Sequence, residues 1–206
     1  PDKNGIREGA INAVTDDRLR STAYIALAIQ RTDTARRHHN AVEKARDFVR
    51  RSFSEHPSTD PYTLALVAEL LGGPWLPAQK PGAPTGSLLE RLWAQRRTLE
   101  DGRTQYFVPS TSTPTHGHGK SGQVETTAMA ASAFLRNAAL PQAAASMAYL
   151  ISAKDSFGTW HSTQATIRTL KAMLQQDLAT QRAADGTLAI LIDGQRYYVD
   201  LFIPFR

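Results

Sequence analysis

The sequence predicts an all-α fold of antiparallel helical hairpins, followed by a short C-terminal β-hairpin. Three observations carry this prediction. Apolar residues recur three and four positions apart in seven successive segments, which is the period of an amphipathic helix. Capping and turn residues leave mostly short connections between these segments, so consecutive helices are expected to pack side by side. Near the end, β-branched and aromatic residues flank Asp193-Gly194, a favoured two-residue hairpin turn.

The first two helices are predicted from caps and apolar stripes. Asp16 and Asp17 stand where an N-cap belongs, directly before an apolar stripe over residues 19–29. A second stripe predicts a helix over residues 35–53. Its basic residues are interleaved with acidic ones, so we interpret this charged side as a solvated helix face rather than as a nucleic-acid surface.

The third helix has both of its ends marked. Asp60-Pro61 is an Asx cap followed by a proline at the first helical position, and the glycines at 72 and 73 end the helix. A proline-rich connection then leads to a fourth helix around residues 88–93. A short extended run at 106–108 precedes a stretch over 110–122 that we expect to be a flexible, exposed loop.

Three more helices are predicted, over residues 123–136, over residues 142–153 and from Ser162 onward. The Ser162 hydroxyl is expected to cap the last of them by accepting the backbone N–H of Ala165. Small side chains in the first two helices allow close helix approach, and we expect their faces to turn inward. These side chains are Ala128, Ala130, Ala131, Ala133, Ala143, Ala144, Ala145 and Ala148.

The C-terminal hairpin, residues 188–203, is predicted to begin a second domain. An isolated hairpin is marginally stable in water, so these strands are expected to belong to a larger β-rich unit. The predicted division is a helical domain over residues 1–182 and the start of a β-rich domain over residues 183–206.

Composition excludes several classes of function. The 206 residues contain no cysteine, which excludes disulfides, zinc–thiolate sites, cysteine nucleophiles and a thioester within these residues. No stretch approaches the roughly 20 apolar residues of a membrane span. The first residues lack the layout of a signal peptide. The 24 basic and 19 acidic residues give a net charge of +5, and without a recognition motif this charge predicts no nucleic-acid partner.

Two segments carry a resemblance to a known family. Residues 124–135, V-E-T-T-A-M-A-A-S-A-F-L, resemble the "V-E-x-T-x-Y-x-L-L-A-x-L" helix of alpha-2-macroglobulins and complement thioester proteins. Residues 149–174 are similar to the family's "W-L-x-x-x-x-x-x-G-G-F-x-S-T-Q-x-T-x-x-x-L-x-A-L" segment. Residues 21–27 and 62–68 match two earlier helices of the family more weakly. The motif residues, to which we assign structural roles, are Glu125, Thr127, Phe157, Gly158, Ser162, Thr163 and Gln164.

The resemblance implies a fold and a function. Thioester domains of this family are α/α toroids of about six helical hairpins, so this chain would be an incomplete, C-terminal part of one. A Cys-x-Glu-Gln motif elsewhere in the parent chain would form the thioester, which acylates a protease once it is exposed. The resemblance implies a secreted or periplasmic protease trap. We expect no catalytic residue, cofactor or metal in this chain. Its partners would be the rest of the parent macroglobulin and target proteases, with self-association of the isolated chain possible.

One site of the family falls near the start of the chain. In complement relatives a histidine just before an early helix helps to transfer the acyl group, and amine-selective relatives have asparagine there. Lys3 and Asn4 lie near that position in this sequence, so both are candidate neighbours of a thioester.

Competing interpretations rest on shorter patterns. Residues 114–121, P-T-H-G-H-G-K-S, resemble a phosphate-binding loop ending at Lys120, but that motif requires a parallel sheet of several strands. The histidines at 116 and 118 lack acidic or thiol neighbours at metal-ligand spacing. Phe157 and Trp160 are interpreted as aromatic wedges between hairpins rather than as parts of a cyclase site. A helical interaction module without thioester chemistry is the main alternative.

Overall fold

Seven helices and two small antiparallel sheets form the described part of the chain. The structure is a computed structural model that describes residues 18–33, 35–72, 87–182, 186–192 and 195–201, with side chains up to residue 178. The helices are α1 (Arg18–Thr32), α2 (His39–Glu55), α3 (Pro61–Leu71), α4 (Leu88–Ala94), α5 (Gly119–Arg136), α6 (Leu140–Ser152) and α7 (Thr163–Arg182). The strands are β1 (Arg97–Thr98), β2 (Gln105–Tyr106), β3 (Gly186–Ile192) and β4 (Gln195–Leu201). The predicted fold class, helical with a short C-terminal hairpin, is confirmed.

Helix α3 begins and ends at the residues that the sequence marks. Asp60 Oδ2 accepts a hydrogen bond from the backbone N–H of Thr63 at 2.9 Å. Pro61 occupies the first helical position, where an N–H would have no intrahelical acceptor. Gly72 follows the helix with φ of +64°, a conformation that glycine adopts without steric cost.

Helix α2 begins at His39, four residues later than predicted. The Asp33 carboxylate accepts hydrogen bonds from the backbone N–H groups of Arg37 at 3.0 Å and His38 at 2.5 Å. These two bonds hold a separate turn ahead of the helix, and they also lower the pKa of Asp33. Side-chain to backbone bonds of this kind compete with helix formation, which explains the later start.

Helix α5 begins at Gly119, one turn before the predicted start at residue 123. Its first turn contains two glycines, which are poor helix formers and therefore conceal the start in the sequence. Gly122 is needed there because a Cβ atom at this position would lie 2.9 Å from the carbonyl oxygen of Gly117. Close contact between the preceding loop and the helix thus outweighs helix propensity.

The helices form two layers. In the first layer, α1 packs against α3, α3 against α5, and α5 against α7. In the second, α2 lies against α1 and α3, α4 lies against α3 and α5, and α6 lies against α5 and β2. Every residue of α3 is buried, so this helix is the centre of the arrangement.

The C-terminal ends of α1, α3 and α5 lie side by side. Arg31, in the last turn of α1, forms an ion pair with Glu69 in the last turn of α3. Arg136, in the last turn of α5, lies so close to Gly72 that a Cβ atom there would be 3.2 Å from its Nε. The three helices therefore point in the same direction, as alternate helices of stacked antiparallel hairpins do.

The apolar core has two parts. The larger part lies among α1 to α5 and contains Phe53, Tyr62, Phe107 and Phe134. The smaller part lies among α5, α6 and α7 and combines four alanines with larger side chains. Its members are Ala128, Ala131, Ala165 and Ala172 together with Val124, Met147, Tyr149, Leu150 and Trp160. Small side chains at this second junction let α5 and α7 approach closely.

The alanine faces are predicted correctly for α5 and only partly for α6. The alanines at 128, 130, 131 and 133 are all buried, as is Ala143. The expectation that Ala144 and Ala148 turn inward is wrong, because both are exposed. Helix α6 belongs to the second layer, so only one of its faces meets the rest of the protein.

Both sheets are two-stranded antiparallel hairpins. In the first, Arg97 pairs with Tyr106 and Thr98 with Gln105. In the second, β3 and β4 pair from Gly186 with Leu201 to Ile192 with Gln195, in agreement with the predicted hairpin. Its predicted turn at 193–194 lies outside the described residues. The described strands include no parallel pair, so the sheet that a phosphate-binding loop requires is missing from this part of the chain.

Among the described helices, none is both long enough and apolar enough to cross a membrane.

Candidate functional site

Glu125 is a fully buried carboxylate held by hydroxyl groups. Thr113 Oγ1 donates to its Oε2 at 2.8 Å, and Thr115 Oγ1 donates to its Oε1 at 2.7 Å. The Tyr62 hydroxyl lies 3.5 Å from Oε1. Burial, followed by the neighbouring Glu125, raises the pKa of Tyr62, so this phenol stays a hydrogen-bond donor. The glutamate of the "V-E" motif therefore fastens the loop at Thr113 and Thr115 to helix α5.

The loop around Glu125 is tightly closed. Gly117 donates its N–H to Thr113 Oγ1 at 2.9 Å, and Thr113 donates its N–H to the Gly117 carbonyl at 3.0 Å. A Cβ atom at Gly117 would lie 2.6 Å from Glu125 Oε2 and 2.8 Å from Thr113 Oγ1. Glycine is thus required at 117 by the approach of the loop to the carboxylate.

The phosphate-loop interpretation does not fit this geometry. The inside of the loop is occupied by the Glu125 carboxylate, an anion that takes the hydrogen bonds a phosphate would need. Lys120 is exposed in the first turn of α5. The expectation of a flexible, exposed loop is also wrong for Thr113 and Gly117, which are buried, although His116 and His118 are exposed as expected.

Thr127 links helix α5 to the chain that leaves β2. Its Oγ1 accepts the backbone N–H of Phe107 at 3.0 Å and donates to the Gln123 carbonyl at 2.7 Å. Thr127 is fully buried, so the Phe107 N–H depends on this acceptor. The neighbouring Thr126 is equally buried, but its Oγ1 has no hydrogen-bond partner.

Trp160 joins α6 to the start of α7. Its indole Nε1 donates to the Leu150 carbonyl at 2.6 Å, and its backbone N–H donates to Thr166 Oγ1 at 3.2 Å. The ring is 4% exposed, with the Lys154 ammonium 5.9 Å from its centroid. Trp160 therefore packs as the wedge that the sequence predicts.

Phe157 does not pack as predicted. Its side chain is 90% exposed, so its assignment as a wedge between hairpins is wrong. It stands on a turn in which Asp155 accepts the N–H groups of Phe157 at 3.0 Å and Thr159 at 2.8 Å. Gly158 has φ of +82°, a backbone conformation that turns the chain back before Trp160. The turn is internally bonded, and the phenyl ring lies outside it.

Ser162 forms the expected cap of α7. Its Oγ accepts the backbone N–H of Ala165 at 3.1 Å, which satisfies one of the free donors of the first turn. Thr163 is exposed at the first helical position, and Gln164 is half-buried. The structural roles assigned to these two residues remain predictions.

A cluster of cations surrounds Glu69, and the sequence does not predict it. Glu69 is 1% exposed and pairs with Arg31. Burial raises the pKa of Glu69, while Arg31, Arg168 and Arg136 act to lower it. Lys171 also interacts with this carboxylate. These residues come from α1, α3, α5 and α7. In the sequence, the cluster is indicated only by the basic residues in the last turns of α1 and α5, which are Arg31 and Arg136.

The hydrogen bonds of Arg46 show why positive charge is favoured at this place. Its Nη1 and Nη2 donate to the carbonyls of Leu70 and Leu71, each at 2.9 Å. The last carbonyls of a helix have no intrahelical donor and carry partial negative charge. Arginines are therefore favoured where the C-terminal ends of α1, α3 and α5 meet.

The structure does not test the prediction of thioester neighbours near the start of the chain, nor the expectation that the chain binds no metal. Lys3 and Asn4, the candidate thioester neighbours, lie outside the described residues. In the part of the chain with described side chains, no group of three or more His, Asp or Glu residues is close enough to hold a metal ion.

A comparison with protein-family models finds a match that covers most of the chain. The family model described as the A-macroglobulin TED domain matches residues 2–175, which is most of the chain. The matched range contains helices α1 to α6, the greater part of α7 and all of the motif residues discussed above. The comparison with curated proteins finds no match.

Proposed function

The chain belongs to the A-macroglobulin TED domain family, and from this membership we propose that it is a helical, non-catalytic part of a larger protein that captures proteases. The family match over residues 2–175 carries the proposal. The covalent step would use a thioester elsewhere in the parent chain, because the 206 residues contain no cysteine.

The polar groups of the motif residues support a structural role. The Glu125 carboxylate is engaged by two threonine hydroxyls, and the Thr127 hydroxyl is engaged by a backbone N–H and a carbonyl. Ser162 is engaged as a helix cap. Groups committed to internal hydrogen bonds hold the helices and loops in place. In this proposal they shape the surface on which the parent's reactive segment rests.

The proposal includes a compartment and partners. Capture of proteases by a macroglobulin takes place outside the cytoplasm, so the parent would be secreted or periplasmic. Its partners would be proteases and the other parts of the parent chain. Lys3 and Asn4 would lie near the thioester.

The test is covalent capture by the full parent protein. The parent is incubated with trypsin, and the products are separated on a denaturing gel. We expect a band that contains both proteins, because the thioester acylates a lysine or hydroxyl of the protease and releases the thiolate. Pretreatment with methylamine should remove the band, since the amine consumes the thioester. The 206-residue chain alone serves as the control and should form no conjugate. A parent that forms no denaturant-stable conjugate would favour the helical interaction module instead.

A further inference from the structure

The sequence contains three pairs of adjacent basic residues, and the structure places them in different surroundings. They are Arg36-Arg37, between α1 and α2, Arg50-Arg51, inside α2, and Arg96-Arg97, where β1 begins. An endoprotease with dibasic specificity recognises such pairs, but it must take the chain into its active site in an extended form. Which pair it can cleave therefore depends on how easily the chain around each pair opens.

The connection that contains Arg36-Arg37 can open without exposing apolar core. All seven residues from 35 to 41 are exposed, and the first buried side chain of α2 is Val42. Arg36 itself has φ of +54°, a left-handed conformation that a residue other than glycine adopts only at a cost. The exposed side chains and the strained residue both favour local opening.

Hydrogen bonds to Asp33 hold this connection closed. Its carboxylate accepts the backbone N–H groups of Arg37 at 3.0 Å and His38 at 2.5 Å, and its carbonyl accepts the N–H of Arg36 at 3.1 Å. These bonds lie at the surface, so water can replace each of them when the turn opens. Opening of the turn is therefore a local event that leaves the core intact.

Arg50-Arg51 is protected by the helix that contains it. Val49 and Phe53, on either side of the pair, are fully buried in the core. Arg50 Nη1 also donates to Asp47 Oδ1, one turn earlier, at 2.7 Å. A protease reaches this pair only if α2 unwinds and exposes both apolar side chains.

Arg96-Arg97 is held by an aromatic ring and by strand pairing. The Arg96 guanidinium lies 4.7 Å from the centroid of the Trp93 ring, and its Nη1 donates to the Trp93 carbonyl at 3.0 Å. Arg97 pairs with Tyr106 in the β1–β2 hairpin. Access to this pair requires loss of the hairpin and of the contact with Trp93.

We propose that the peptide bond between Arg37 and His38 is a processing site for an endoprotease that recognises paired basic residues. Hydrolysis adds water across this bond and leaves a carboxylate on Arg37 and an amino group on His38. The proposal does not depend on protease capture, because it rests only on the surroundings of the three basic pairs.

The two pieces should remain associated after the cut. Helix α1 packs against α2 and α3, and its Arg31 forms the ion pair with Glu69. The new ammonium group of His38 would lie beside Asp33, whose carboxylate already accepts the N–H of this residue. Processing therefore yields a two-piece domain, with residues 1–37 bound to residues 38–206.

The test is limited proteolysis of the full 206-residue chain with a subtilisin-like endoprotease of dibasic specificity. We expect the first products to be residues 1–37 and 38–206, identified by their masses, and to elute together in size-exclusion chromatography without denaturant. Arg37→Gln should slow the first cut at least about 100-fold, because the protease loses its charged contact beside the scissile bond. The matched variants Arg51→Gln and Arg97→Gln should leave its rate unchanged.

Asp33→Ala tests whether the cut depends on opening of the turn. It removes the two side-chain hydrogen bonds that hold the connection, so the cut should become about tenfold faster. Peptides that contain the three pairs measure the intrinsic preference of the protease. The folded chain should be cut after Arg37 with a preference at least about tenfold stronger than the peptides show.

Four results would overturn the proposal. They are a first cut after Arg51 or Arg97, a folded chain that stays uncut, an Asp33→Ala variant that is cut no faster, and fragments that separate without denaturant.

Discussion

The structural roles of the adjacent residues Thr126 and Thr127 differ by one hydrogen bond to another part of the chain. Thr126 and Thr127 are both fully buried in α5, and both have a hydroxyl inside the protein. Only the Thr127 hydroxyl accepts a backbone N–H from another element, that of Phe107. The sequence does not predict which of the two hydroxyls forms this bond, because the bond depends on where the chain that follows β2 meets α5.

We expect Thr127→Val to lower the free energy of unfolding by about 1–3 kcal/mol, since it leaves the Phe107 N–H buried without an acceptor. Thr126→Val serves as the matched control. It removes a hydroxyl without a partner and should be neutral or stabilising. Urea denaturation of both variants measures the difference. Equal losses for the two would show that the Phe107 bond contributes nothing.

Ser162→Ala should lower the free energy of unfolding by about 1 kcal/mol, as the loss of an N-cap usually does. The reason is the hydrogen bond from Ala165 to Ser162 Oγ. Ser156→Ala, an exposed serine in the preceding turn, is the control for the same change of side chain. Thermal denaturation is sufficient for this comparison. If Ser162→Ala were as stable as the control variant, the cap would contribute no stability.

At the scale of elements, the starts of α3 and α7 are predicted correctly because a local cap marks each of them, whereas features that depend on another element are not predicted. Asp60-Pro61 and Ser162 mark helix starts because the cap bonds groups within one turn. The β1–β2 hairpin is not predicted from the sequence, because its strands have only two residues each. The closed loop at Gly117 depends on Glu125 in the next helix, so its residues look like flexible loop in the sequence.

In the turn before α7, the sequence likewise does not predict which aromatic side chain is buried. Phe157 and Trp160 are three residues apart, and only the structure tells which one enters the core. We expect Trp160→Ala to lower the free energy of unfolding by about 3–5 kcal/mol. Phe157→Ala should change it by less than about 0.5 kcal/mol. Denaturant titration of the two variants side by side tests this contrast, and a large loss for Phe157→Ala would mean that its ring packs inside.

The same turn should loosen only in strong acid. Hydrogen bonds from the Thr159 side chain and backbone lower the pKa of Asp155 below its ordinary value of 3.8. A carboxylate with a lowered pKa stabilises the turn above the unfolded value and loses this effect as the pH falls through the folded value. The amide signals of Phe157 and Thr159 should therefore titrate below pH 3.8 in nuclear magnetic resonance spectra. Asp155→Asn should abolish the titration, and a midpoint above that value would contradict the geometry.

At the scale of the whole molecule, the two layers of helices account for stability over α1 to α6, and the last elements differ from the rest. Helix α7 packs on α5 through Ala165, Thr169 and Ala172 and places Arg168 over the Tyr24 ring of α1, and its remaining face carries exposed aliphatic residues. The β3–β4 hairpin forms a sheet of only two strands among the described residues. Two-stranded sheets contribute little stability alone. We therefore expect α7 and this hairpin to be the places where the chain meets other parts of the proposed parent protein.

Hydrogen–deuterium exchange of the 206-residue chain, compared with the same residues inside the full parent protein, tests this view most directly. We expect α3 and α5 to be equally protected in both, because their packing is complete within the chain. Helix α7 and the β3–β4 hairpin should gain protection in the parent, since their exposed faces would be covered there. Equal protection of α7 and the hairpin in the isolated chain and in the parent would contradict the account, because the chain would then be complete as a folding unit.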